Sequence, residues 1–282
     1  MKKAGGYLKS TLPLIVMFLI QFGASIIMLL RYIVLYGLEK GTQLYSGETL
    51  SVVFIADMMA LGVMGIWYYA GVVNRKKRLE IPKEQSLLGA KDVGLLVVLA
   101  VGMQFAIGML LAVWNLFSPE LIEEYSNMME DAGIGTQGIL TVLAVGIIGP
   151  ITEELVFRGL SIEYLKRTGA AFWVINVLQA LYFGIAHLNP VQGAYAFLIG
   201  LICGYVVMKY RTLWAGIAFH MAFNLYSQVQ SGLTETLDSS GLLEEAAGAV
   251  VLIILFLVGI GFTVFPLIAL HRKFLPESIN RE

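Results

Sequence analysis

Charged residues are scarce in this sequence, and cysteine is almost absent. Asp, Glu, Lys and Arg make up 14% of the 282 residues and 58% are hydrophobic, whereas an average soluble domain has about 25% charged residues. This balance excludes an ordinary soluble domain and predicts an all-α polytopic membrane protein, a bundle of about eight transmembrane helices. The single cysteine, Cys203, excludes an intrachain disulfide, and its apolar surroundings indicate a buried, inert thiol.

An excess of positive charge is also missing. The formal net charge is −1, and no basic tail or aromatic-rich basic patch is present, so no nucleic-acid partner is expected. The sequence contains no HExxH, no GxSxG and no GxGD pair, which are hallmarks of other hydrolases. It also shows no soluble domain, low-complexity tract or sequence repeat. We therefore interpret residues 1–282 as a single membrane-embedded domain.

Eight apolar runs follow one another along the chain. They cover residues 12–35, 50–73, 93–115, 138–159, 171–188, 190–208, 212–229 and 246–270. The first run is longer than the apolar core of a cleavable signal peptide, so we interpret it as a retained span. The fifth to seventh runs are short and closely spaced, and a re-entrant or broken helix is an alternative for each of them.

The distribution of basic residues supports eight spans. With the N-terminus inside, sixteen of the nineteen Lys and Arg residues fall in inner segments, whereas the outer loops hold eleven acidic residues. Cytoplasmic loops of membrane proteins carry an excess of Lys and Arg. The sequence therefore predicts a multi-pass integral membrane protein, in the cell membrane, with both termini cytoplasmic. Positive-inside anchoring also explains the basic loop 74–92, with recruitment of an acidic partner as the alternative.

Ionisable groups within the apolar runs are costly, so each is a candidate functional residue. With one accompanying asparagine, they are Asp57, Glu153, Glu154, Arg158, His187, His220 and Asn224. Glu154 and Arg158 are four residues apart, and this spacing predicts an ion pair on one helical face. Glu153 has only Gly149 and Phe157 at that spacing, so we expect it to be functional. Asp57 is interpreted as a structural hydrogen-bonding residue, with proton transfer or coupling as the alternative.

The spacing of these groups predicts a polar cavity within the bundle. His220 and Asn224 are four residues apart and share a helical face. Gly149-Pro150 removes a backbone donor and loosens the helix just before Glu153. His187 lies at the end of its run, so reaching the depth of Glu153 requires a tilted helix or a break at Asn189-Pro190.

Two mechanisms of hydrolysis fit these residues. In the first, Glu153 takes a proton from water held by His187, and His220 and Asn224 donate hydrogen bonds to the developing oxyanion. In the second, Glu153, His187 and His220 bind a zinc ion that acidifies the water. The spacing of the residues is compatible with both.

Three short motifs carry a resemblance to a known family. EELVFR at 153–158 looks like EExxxR, FGIAH at 183–187 like FxxxH, and HMAFN at 220–224 like HxxxN. In this order on successive apolar segments, they resemble the CPBP family of CAAX prenyl proteases and bacteriocin-processing proteins, including the Rce1-type endopeptidase. The motif core covers about residues 138–229.

The resemblance implies an intramembrane endopeptidase. It implies that Glu153 activates water beside His187, that His220 and Asn224 stabilise the oxyanion, and that Glu154 and Arg158 support the site. The implied partners are the lipid bilayer and a peptide or membrane-protein tail, prenylated or not. The resemblance is compatible with a zinc-dependent reaction and with one that needs no metal cofactor, and we favour the latter.

A non-catalytic scaffold or a transporter is the alternative of a different class. Transporters are often built from inverted repeats, but the two halves of this sequence do not match, and the charge cluster lies in the second half. A scaffold that has lost catalysis is harder to separate from an enzyme, although all motif positions are present. Peptide cleavage distinguishes the two.

Overall fold

The computed structural model describes residues 2–82, 84–133, 138–239 and 246–274, and these residues form helices without a strand. The helices are α1 Lys2–Tyr36, α2 Leu38–Gly47, α3 Thr49–Arg78, α4 Ala90–Phe117, α5 Pro119–Asp131, α6 Ile139–Lys166, α7 Phe172–Ala186, α8 Pro190–Tyr210, α9 Leu213–Ser239 and α10 Ala246–Lys273. Each of the eight predicted runs coincides with a helix, while α2 and α5 lie in the connections between them. The prediction of an all-α polytopic membrane protein is confirmed.

Six of the described helices are long and apolar enough to cross a membrane: α1, α3, α4, α6, α8 and the part of α10 from Phe256. Helix α7 has 15 residues, which is fewer than the roughly 20 that a straight crossing needs. Helix α9 is longer but carries several polar side chains, and it is not among the six. Lys83, Glu244, Glu245 and Arg281, which contribute to the predicted charge distribution, lie outside the described residues.

Helix α6 lies at the centre of the bundle. It contacts α1, α3, α7, α8 and α9, and its residues Val156, Phe157 and Leu160 have no exposed surface. A helix that is apolar on all sides must be surrounded by other helices or by lipid. Large apolar side chains such as Leu19 and Phe117 are instead exposed on the outer helices, as expected of an integral membrane protein whose surface faces lipid.

The backbone of α6 changes its winding around the carboxylates. π-helical segments at Val142–Ile148 and Leu155–Ser161 flank an α-helical turn, Gly149–Glu154. Pro150 cannot donate a backbone hydrogen bond, which favours a wider turn ahead of it. The Thr152 hydroxyl donates to the Ile148 carbonyl at 2.8 Å. The predicted loosening at Gly149-Pro150 is therefore visible as a π-helical segment immediately before this turn.

A break between α7 and α8 positions His187. The residue after it, Leu188, has φ +54°, and Asn189 caps α8 by accepting hydrogen bonds from the backbone N–H groups of Val191 at 2.9 Å and Gln192 at 3.0 Å. An asparagine N-cap followed by proline is a strong helix start. The structure thus contains the second of the two arrangements predicted for His187, a helix break at Asn189-Pro190.

Candidate active site

The predicted catalytic residues meet in one cavity. Its volume is about 810 Å³, and Glu153, His187, His220 and Asn224 all line it. Asp57 of α3 lines the same cavity. Three separate helices, α3, α6 and α9, and the end of α7 therefore supply these polar side chains.

Glu154 and Arg158 form the predicted ion pair. Arg158 Nη1 lies 2.9 Å from Glu154 Oε1, and neither side chain has exposed surface. Arg158 Nη2 also donates to the Gly200 carbonyl of α8 at 3.3 Å. Neither residue lines the cavity. The charge of Glu154 is thus neutralised within the protein core, beside the cavity.

His220 connects the two glutamates. Its Nδ1 lies 3.1 Å from Glu154 Oε1, and its Nε2 lies 3.5 Å from Glu153 Oε2. A carboxylate accepts hydrogen bonds only, so the contact with Glu154 places a proton on Nδ1 and directs Nε2 towards Glu153. The sequence predicts a role for His220 at the oxyanion but does not predict its contact with Glu154, since the two residues are on different helices.

His187 is oriented by a backbone carbonyl. Its Nδ1 lies 2.8 Å from the Phe183 carbonyl oxygen, which can only accept, so Nδ1 is the donor and Nε2 keeps its lone pair. An imidazole in this form can accept a hydrogen bond from water. This orientation suits the predicted role of His187 in holding the water molecule.

The ring of Phe183 packs between three polar groups of the site. It stands edge-on to His187 and His220, with ring centroids 4.9 and 5.5 Å away. The Arg158 guanidinium carbon lies 4.4 Å from its centroid, within cation–π range. In the sequence, this residue is the first letter of the FxxxH motif, which by itself indicates no role for the ring. Its role in the structure is to fix both histidines and the arginine.

Asn224 is held from the opposite side, by the π-helical part of α6. Its Nδ2 donates to the Val145 carbonyl at 2.9 Å, and the amide retains a second N–H for another acceptor. The carbonyls of a π-helical segment are imperfectly paired within the helix, and they attract such donors.

Several uncharged polar residues at the cavity were not predicted. Gln21 of α1 donates to Asp57 Oδ1 at 2.9 Å, and Gln104 of α4 donates to the Phe223 carbonyl at 2.8 Å. The hydroxyl groups of Tyr125 and Tyr195 lie 3.0 Å apart and link α5 to α8 at the cavity wall. The sequence signal for Gln21, Gln104 and Tyr195 is an uncharged polar residue inside an apolar run, whereas Tyr125 lies between two runs and gives no such signal.

The donor atoms of the site do not fit a zinc ion well. Among the described residues, the one group of three suitable ligand atoms within 4.8 Å of one another is Glu154, Cys203 and His220. The predicted zinc ligands Glu153, His187 and His220 do not form such a group. Glu154 already binds Arg158 at 2.9 Å, so a metal ion bound by the first group would lie next to a guanidinium cation, which it repels.

The helices and the cavity together define a class, a polytopic all-α membrane protein with a carboxylate–histidine centre. Residues 135–226 match the family described as type II CAAX prenyl endopeptidase Rce1-like. This segment is therefore similar to an Rce1-like domain, as the three motifs predicted. The family indicates a protease that acts on peptide substrates in a membrane. No curated protein and no solved structure matches the chain.

Proposed function

We propose that this protein is an intramembrane endopeptidase in which Glu153 activates water without a metal ion. The observation that carries the proposal is the different environment of the two adjacent glutamates. Glu154 is neutralised by Arg158 in the core, whereas Glu153 lines the cavity with both histidines and Asn224. A carboxylate that faces a cavity beside hydrogen-bonding groups is suited to general base catalysis.

Each cavity residue has a role in this reaction. Glu153 takes a proton from a water molecule whose other hydrogen is accepted by His187 Nε2, and the water oxygen attacks the peptide carbonyl carbon. The second N–H of Asn224 donates to the oxyanion, and His220 Nε2 does so when it is protonated. Glu153 then gives its proton to the leaving amine as the C–N bond breaks. Glu154 holds His220 through Nδ1 and acts as a positioning residue.

The proposed substrate is a peptide or a membrane-protein tail that reaches the cavity from the bilayer or its surface. Prenylated CAAX-type peptides and unprenylated peptides both fall within this class. We also propose that the protein lies in the cell membrane with both termini cytoplasmic, because the basic residues are concentrated in the segments assigned to the inside.

Replacement of Glu153 tests the mechanism. In purified, detergent-solubilised protein, Glu153→Gln is expected to lower kcat for a fluorogenic model peptide by about 10²–10⁴-fold, the range typical of a lost general base. Its melting temperature should stay near wild type, because the substitution preserves shape. Glu163→Gln is the matched control, since Glu163 is on the same helix but pairs with Lys76 outside the cavity. Wild-type turnover in Glu153→Gln would refute the mechanism.

The same substitution identifies substrates in cells. Comparison of membrane proteomes from cells with wild-type protein and with Glu153→Gln should show uncleaved precursors that accumulate in the variant. If no precursor accumulates and no peptide is cleaved in vitro, the non-catalytic scaffold is favoured instead.

A further inference from the structure

The cavity carries an uneven distribution of charge. Its described lining includes two carboxylates, Asp57 and Glu153, and two histidines, but no lysine or arginine. Arg158, five residues after Glu153 on α6, does not line the cavity and is bound to Glu154. Among the described residues, therefore, no lysine or arginine of the cavity lining balances the charge of either carboxylate.

The hydrogen-bonding capacity of the Asp57 carboxylate is only partly used. The residue is 9% exposed, and its Oδ1 accepts a hydrogen bond from Gln21 at 2.9 Å. Its Oδ2 has no hydrogen-bond partner within the described part of the chain, and the residue lines the cavity. The Gln21 amide is neutral and cannot cancel the charge. A nearly buried carboxylate in this condition favours a cationic partner.

The position of Asp57 relative to Glu153 can be estimated from helix geometry. A Cβ atom placed on Gly149 would lie 3.7 Å from Asp57 Oδ2, so this oxygen is adjacent to Gly149. Gly149 precedes Glu153 by four residues of α6, which corresponds to roughly 6 Å along the helix axis. An extended peptide covers this distance in about two residues.

We propose that Asp57 forms a subsite for a basic side chain, so that the enzyme prefers peptides with lysine or arginine within two residues of the scissile bond. The inference deepens the proposed endopeptidase function and rests on it. The ammonium or guanidinium group would donate to Asp57 Oδ2 and supply the positive charge that the cavity lining lacks. A neutral residue would leave the carboxylate unsatisfied, and an acidic one would be repelled.

The competing explanation is that Asp57 only joins α1 to α3 through Gln21. Asp57→Asn separates the two explanations, because its side-chain carbonyl oxygen still accepts from Gln21 while the negative charge is lost. A purely structural role predicts no change in substrate preference. If Asp57 recognises a basic side chain by its charge, the preference for lysine or arginine should disappear in Asp57→Asn.

The test uses a fluorogenic peptide in which lysine, norleucine or glutamate is placed in turn at each position beside the cleavage site. For wild type, kcat/KM at one position should favour lysine over norleucine by roughly tenfold or more, as for a hydrogen bond to a charged group. In Asp57→Asn the ratio should approach one. Glu39→Gln, which removes an exposed carboxylate from α2, should retain the wild-type ratio. An absent preference in wild type, or an unchanged ratio in Asp57→Asn, would overturn the proposal.

Binding measurements separate this subsite from the catalytic mechanism. In Glu153→Gln, fluorescence anisotropy should give a lower Kd for the lysine peptide than for the norleucine peptide, and Glu153→Gln/Asp57→Asn should bind the two equally. Charge-dependent binding without cleavage by wild type would keep the subsite and reject the endopeptidase. Cleavage by wild type with equal Kd values would reject the subsite alone, even if Asp57→Asn failed to fold.

Discussion

Adjacent residues on a helix point in directions about 100° apart, and this rotation gives Glu153 and Glu154 different chemistry. Glu154 is directed into the core, where it binds Arg158 and His220. Glu153 is directed into the cavity, where its Oε2 lies 3.5 Å from His220 Nε2. The same side-chain type thus serves as a buried counter-ion at one position and as a proposed base at the next.

Arg158→Met is expected to destabilise the protein strongly. It leaves Glu154 charged and buried without its cation, and breaking a buried ion pair in this way costs about 3–5 kcal/mol. Denaturant unfolding in detergent measures the effect. Because Glu154→Gln/Arg158→Met removes both charges, it should be less destabilised than the sum of the two single variants.

Lys76→Met provides the comparison for an exposed pair. Lys76 Nζ lies 2.8 Å from Glu163 Oε1, but the lysine side chain is 43% exposed, so the expected loss is about 1 kcal/mol or less. Equal losses for Arg158→Met and Lys76→Met would contradict the special role of the buried pair.

The donor set of the cavity predicts activity without zinc. Peptide cleavage should persist after prolonged dialysis against EDTA, and purified protein should contain far less than one zinc per chain. Elemental analysis and the peptide assay on the same preparation check this expectation. Stoichiometric zinc together with turnover that EDTA abolishes and zinc restores would establish the metal-dependent reaction instead.

At the level of helices, close contact between α6 and α9 holds the glutamates in place. Gly216 of α9 faces Glu154, and a Cβ atom there would collide with Oε2 of that side chain and with Val207 Cγ2. Glycine lowers the stability of a helix interior by about 0.5–1 kcal/mol relative to alanine. Its presence in α9 is explained by the space that the Glu154 carboxylate needs.

Gly216→Ala is therefore expected to lower activity despite the better helix propensity of alanine. The added methyl group should displace Glu154, and with it His220, which Glu154 holds at 3.1 Å. The peptide assay should show a lower kcat. Gly62→Ala in α3 is the matched control, since a Cβ atom there meets nothing within 4 Å, and it should be neutral or stabilising. Unchanged kcat in Gly216→Ala would mean that this contact does not position the site.

For the molecule as a whole, the sequence predicts the helices and the shared cavity, but it misses the individual contacts between helices. Apolar runs locate the eight main helices because a backbone in lipid must satisfy its own hydrogen bonds. The polar sequences of α2 and α5 give no such signal. Spacing within α6 predicts the Glu154–Arg158 pair, whereas the contacts of His220 with Glu154 and of Gln21 with Asp57 arise from packing between helices. The motifs placed His220 in the site through family resemblance, but they indicated neither of these two contacts.

Membrane orientation can be tested with introduced cysteines, because the native Cys203 has no exposed surface and should give no background labelling. Lys77 on the basic end of α3 and Glu123 on α5 are both exposed. If basic segments stay in the cytoplasm, an impermeant maleimide added to intact cells should label Glu123→Cys but not Lys77→Cys. In opened cells, both variants should be labelled.

The reverse pattern would mean an inverted protein. Equal labelling of both variants in intact cells would mean that the number of spans between the two positions is even. In the predicted orientation, α5 with Tyr125 and its acidic residues lies at the outer side of the membrane. The basic end of α3 then lies at the cytoplasmic side.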